Sequence, residues 1–329
     1  MPKSGSVNLR KFLITALLLG VLVSCGSSGN STNSIESTAQ TAPDSVVADL
    51  PVIAVTYSVI GNIVSQLVGD NATVTVVISD GQDPHDFQPS AKAIETINNA
   101  ALVVSNGLEF EEGLEEVLEN IADSGGNIFM VGEHITVRKI ENGDEHNHGE
   151  DEGHADEHGD KHTGGDPHLW LSPATMLEML PALTSALSQA VGADLSAEAT
   201  ALTTKLQDLD GQVESIINGL GECNLVSGHD ELGYFADRYG CNVIGAIIPS
   251  FTTTSEATAG ELAELKLLVE QYKVRAIFTG LGTSPDTATQ LAKELNIKAV
   301  TLSTHYLDGV ASYQEFILNL TNQIAEALS

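Results

Sequence analysis

The chain alternates short, almost wholly apolar runs with stretches of helical periodicity, and does so in two separate series. The first runs through PVIAVTYSVIGNIVSQLV, TVTVVISDG, SAKAIETINNA, ALVVSNG, FEEGLEEVLENIADSG and NIFMVG. The second runs through NLVSG, DELGYFADRYG, CNVIGAI, SEATAGELAELKLLVEQYK, VRAIFTG, SPDTATQLAKELN, KAVTLS and SYQEFILNLTNQIAEAL. A strand buried on both faces reads as a continuous apolar run, and parallel strands need helical crossovers. Each series therefore predicts an α/β unit with a parallel sheet. Between them, SPATMLEMLPALTSALSQAVG reads as one long helix opening at a Ser-Pro pair, with further helix in ADLSAEATALTTKLQDLDGQVESIINGL. The expected fold is α/β, with two Rossmann-like lobes joined by a long linking helix.

The amino terminus stands apart from this pattern. Lys3, Arg10 and Lys11 precede an apolar run from Phe12 to Val23, which ends in Leu22-Val23-Ser24-Cys25. A dozen apolar residues are too few to span a bilayer. The arrangement is that of a secretory signal peptide, and its end resembles a bacterial lipobox. The lipobox implies cleavage before Cys25, lipid on its sulfur, and an exported chain held at the cell membrane or in the periplasm. Residues 26–49 are rich in Ser, Thr, Gly, Asn and Ala and read as a tether. The remaining residues exceed what one hydrophobic core comfortably serves. The expected boundaries are 1–24 for the signal peptide, 25–50 for the lipidated cysteine and tether, and 51–171 for the first lobe. The linking helix follows over 172–200 and the second lobe over 201–329.

A formal net charge of −31 argues against nucleic acid as a partner, because no basic patch offsets phosphate. An acidic surface draws cations instead. The histidines sharpen this. His146, His148, His154, His158 and His162 fall in an acidic run, 141–165, that lacks apolar periodicity and reads as a disordered insertion capable of auxiliary metal binding. His85 and His168 each close an Asp-Pro-His triplet, whose acids Asp83 and Asp166 could orient the imidazoles. His229 follows NLVSG and His305 follows KAVTLS. In open α/β sheets ligands bind beyond the carboxyl ends of the strands. Four histidines are thus expected at strand exits or in loops, two per lobe, around one metal between the lobes.

These segments resemble the solute-binding lipoproteins of zinc and manganese ABC transporters. The resemblance rests on DPHDFQPS, NAALVVSNGLEFEEGLEEVL, DPHLWLSP, SGHDELGYFADRYG and the closing TLSTHYLDGVASYQEFILNLTNQIAEAL. It covers nearly all of the mature chain, and the acidic histidine run is typical of the zinc branch. It implies two α/β lobes on a rigid linking helix, a metal between them, no catalysis, and a membrane permease as partner to a monomeric carrier. It makes His85, His168 and His229 ligands. The fourth position falls to His305, Asp308 or water. Gly280 stands where many relatives have a glutamate, which removes one oxygen donor. Three or four imidazoles suit Zn2+, whereas Mn2+ prefers more oxygen.

Cys223 and Cys241 open neighbouring strands joined by one helix and are expected to form a disulfide, as export permits. The rival class is a zinc hydrolase with three histidines, a bound water, and Asp230 or Glu231 as general base. The chain contains neither H-E-x-x-H nor G-x-S-x-G.

Overall fold

The computed structural model describes residues 50–139 and 165–329. The signal segment, Cys25 and the five histidines of the acidic run lie outside those residues. The first series builds β1 (Val52–Val55), α1 (Ser58–Val68), β2 (Thr73–Val76), α2 (Ala91–Asn98), β3 (Leu102–Ser105), α3 (Glu115–Asp123) and β4 (Ile128–Met130). Two helices follow, α4 (Pro173–Val191) and α5 (Ser196–Asn218). The second series builds β5 (Asn224–His229), α6 (Gly233–Tyr239), β6 (Asn242–Ile248), α7 (Ala259–Gln271), β7 (Ala276–Thr279), α8 (Pro285–Leu295), β8 (Lys298–Thr301) and α9 (Tyr313–Leu328).

Each series forms a four-stranded, all-parallel sheet, with orders β2-β1-β3-β4 and β6-β5-β7-β8. The two sheets share one topology, and in both the order reverses beside the first strand. Crevices at such reversals, past the carboxyl ends of the strands, are where α/β sheets hold ligands. Side-chain caps fix several helix starts. Ser90, Ser172, Ser284 and Ser312 accept from the backbone N–H groups of Ala93, Thr175, Thr287 and Glu315, and Thr258 with Glu261 makes a capping box on α7.

The linking region differs from the single helix expected over 172–200. The helix ends at Val191, and residue 200 lies inside α5. Gly192 follows with φ +68°, a left-handed conformation that favours glycine and turns the chain back. The helix α5 packs along α4 and also against α1 of the first series and α6 and α9 of the second. Its stripe Leu202, Leu206, Leu209, Val213 and Ile217 is buried throughout.

One apolar cluster therefore runs from Ile53 and Ile60 through Trp170, Met179 and Leu209 to Phe278, Phe316 and Ile324. Separate smaller clusters fill the outer faces, one of each sheet, around Val103 and Leu118 and around Ile277 and Leu291. Two sheets are present as expected, but their inner faces share one core.

Cys223 and Cys241 are disulfide-bonded, Cα atoms 4.7 Å apart, just before the paired strands β5 and β6. Replacing both with serine should lower the unfolding free energy by roughly 3 kcal/mol in urea titrations, since the bridge constrains the unfolded chain.

Candidate metal centre

The Asp-Pro-His triplets make the same local turn. The Asp83 carboxylate accepts the backbone N–H of His85 at 3.1 Å, and Asp166 accepts that of His168 at 2.9 Å. The proline between fixes φ and brings no competing N–H. His229 is the last residue of β5, within the strand rather than after it. His305 lies four residues past β8. The segment after His168 is fixed across the lobes. Trp170 Nε1 donates to the Thr304 carbonyl at 2.6 Å, and the Trp170 carbonyl accepts from the Tyr313 hydroxyl at 2.8 Å.

These supports bring His85, His168, His229 and His305 together. Each is at most 2 % exposed. Their six ring-centroid separations run from 4.9 to 5.8 Å. One nitrogen from each lies within 4.8 Å of the others, and the Nε2 atoms of His168 and His229 are 3.0 Å apart. A tetrahedral zinc with bonds of about 2.0–2.1 Å sets its ligand nitrogens about 3.3–3.4 Å apart. His85 Nε2 and His305 Nε2 are buried without a hydrogen-bond partner among the described residues. Buried polar atoms rarely stay unpaired, so the donor set fits a cation. Asp308, the rival for the fourth position, is exposed and outside this group.

The outer nitrogens face carboxylates. His168 Nδ1 is 2.9 Å from Asp166, whose other oxygen meets Arg138 at 3.4 Å. Asp83, expected in the same role, instead accepts from the Thr253 hydroxyl at 2.8 Å. The outer nitrogen of His85 faces Glu112 at 3.6 Å, and Glu112 also bonds the Thr252 hydroxyl. Glu231 lies 3.8 Å from His229 Nδ1 and 3.7 Å from His305 Nδ1. Reasoning from sequence missed Glu112, Arg138 and the two threonines. The one available signal was that Glu231 sits two residues from His229. A Cβ at Gly280 would lie 2.9 Å from Thr304 Oγ1 and 3.9 Å from Glu231 Oε1, so the glycine spares the Thr304 hydroxyl.

Burial pushes the imidazoles of His168, His229 and His305 well below their ordinary pKa, and neighbouring histidines add to the effect. They are neutral, as metal ligation requires. Burial moves the acids the other way, Glu231 up to about 8, Asp166 up to about 7 and Asp230 up to about 6.

The chain belongs to a family of periplasmic metal-uptake components, and its fold is theirs. The family is described as zinc-uptake complex component A, periplasmic, and its model matches residues 53–327. Among curated relatives, the zinc-binding protein AdcA of Streptococcus pyogenes is 28% identical over 250 residues, 72% of this chain and 47% of the relative. The chain thus spans about half the length of these relatives. The periplasmic zinc binding protein TroA from Treponema pallidum superposes with a TM-score of 0.72 at 22% identity, covering 85% of this chain and 99% of that one. A manganese-bound mutant of the periplasmic metal binding protein from Candidatus Liberibacter asiaticus gives 0.71 at 21%, covering 85% and 100%. At these identities the two structures establish the fold.

The raised carboxylates give a sign for pH dependence. Between their unfolded pKa values near 4 and the folded values, the metal-free fold holds protons that the unfolded chain has lost. Its stability therefore falls as pH rises through that range. The depressed histidines oppose this only below about pH 6.5, where the unfolded imidazoles charge. In the presence of chelator, the urea midpoint should be lower at pH 8 than at pH 6.5.

Proposed function

We propose that this chain is an extracytoplasmic carrier that captures Zn2+ between its lobes and delivers it to the membrane permease of an ABC transporter. His85, His168, His229 and His305 are its ligands. The observation that carries this reading is the buried group of four imidazoles, two from each lobe. Four nitrogen donors suit tetrahedral zinc, and the nearby carboxylates stand behind the rings, where manganese would want them as ligands. Family membership supports transport, and the lipobox at Cys25 supports a lipid anchor. The hydrolase reading needs a water in the fourth position and a base facing it. His305 takes that position, and Glu231 faces outer nitrogens.

Calorimetric titration of metal-stripped protein tests the assignment. One tight zinc equivalent per chain is expected, and it should vanish in the His85→Ala, His168→Ala, His229→Ala triple variant. Tight binding that survives the triple change would reject these ligands. His305→Ala should still bind zinc, more weakly, with a smaller preference over manganese as one nitrogen is lost.

Deleting residues 141–165 should remove weak additional equivalents contributed by His146, His148, His154, His158 and His162 and spare the tight one. At free zinc a hundredfold above the dissociation constant, the loop-deleted protein should gain about 2.7 kcal/mol of stability.

A further inference from the structure

Glu231 is buried to 1 % exposure, yet no lysine or arginine lies within ion-pair distance of it among the described residues. The charged groups that act on it are Asp83, Asp166 and Asp230, all acids. Among the described residues its only ion-pair-range partners are two imidazoles, and it divides its oxygens between them. Oε1 faces His229 Nδ1 at 3.8 Å, and Oε2 faces His305 Nδ1 at 3.7 Å. Oε2 and His229 Nδ1 are both buried without a hydrogen-bond partner among the described residues. Holding an uncompensated carboxylate in the interior is costly. That cost is offset once a cation sits on the far side of both rings.

We propose that Glu231 is the positioning residue of the second lobe, a single carboxylate that orients two metal-binding imidazoles at once. At 3.7 and 3.8 Å the two oxygens stand just outside hydrogen-bond distance; drawn in to contact, an acceptor at each Nδ1 fixes the proton there and turns each Nε2 lone pair toward the centre. The first lobe orients its rings separately, His168 through Asp166 and His85 beside Glu112. The second lobe yokes its pair, so His229 and His305 are set together. Thr304 Oγ1, 2.9 Å from His305 Nδ1, adds a second contact for that ring only. A Cβ at Gly280 would press on that hydroxyl at 2.9 Å, so the glycine leaves Thr304 its place beside His305. The inference rests on the zinc-capture reading, and it goes further by making zinc affinity depend on a residue that does not touch the metal.

The informative substitution is Glu231→Gln, which keeps shape and size. The amide offers one oxygen and one NH2 group, so one imidazole meets a donor where it needs an acceptor. That ring must adopt the other tautomer, which turns its lone pair away from the metal. The assay is competitive zinc titration of the metal-stripped full chain, with Glu231→Ala alongside and the d–d absorption of the Co2+ form as the spectroscopic readout. Expected is a loss of about 10–100-fold in zinc affinity for Gln, no smaller than that for Ala, typical of removing an outer partner of a ligand. The cobalt spectrum should shift, and the metal-free unfolding temperature should not fall. Wild-type affinity and spectrum in Glu231→Gln would overturn the proposal and leave Glu231 a packing residue. Wild-type protein is titrated first. If it takes up no zinc, the capture reading fails on its own, before any variant is compared.

Discussion

Four imidazoles are packed against one another in the interior, and the surrounding structure serves that arrangement. Each ring must lose its hydration, keep its proton on the outer nitrogen and present the inner one. Asp166 meets the outer need of His168 directly, and Glu231 stands behind His229 and His305. The backbone then has to bring four rings from distant parts of the chain to within 4.8 Å. Two Asx turns, the end of one strand and a loop past another achieve it. The proline in each turn lowers the entropy lost on fixing the ring.

The lobes meet over more than the site. Their inner faces share one apolar cluster through α4 and α5, so a change in lobe angle must slide packed helices rather than bend a bare linker. Near the histidines polar contacts join aromatic ones, with Phe110 stacked on His305 and Trp170 beside it. Thr253 meets Asp83, Thr252 meets Glu112, and Trp170 meets Thr304. Such side-chain hydrogen bonds contribute about 0.5–1.5 kcal/mol each.

Much of this was legible in the residues. The alternation of apolar runs with helical stretches gives both sheets, and Ser or Thr caps mark five helix starts. The four histidines are recognisable because two close Asp-Pro-His triplets and two stand at or just past the ends of strands. The misses have physical causes. Periodicity resumes within a few residues of Gly192, so one glycine in a left-handed turn hides the break between α4 and α5. Asp83 and Asp166 look equivalent in sequence, but one carboxylate reaches the ring and the other reaches Thr253, a choice set by the opposite lobe. Glu231 is close to His229 in the chain, yet only three-dimensional packing decides that it faces the outer nitrogens and extends to His305.

Trp170 is the only tryptophan in the sequence, fully buried, with its ring 5.5 Å from that of His168 and 5.7 Å from that of His305. The protein therefore carries one indole chromophore, in van der Waals range of the rings that would take up the ion. Its ultraviolet emission has no background from any other tryptophan. Indole emission from this chain is light emitted beside His168 and His305, and occupancy there can be followed without a label.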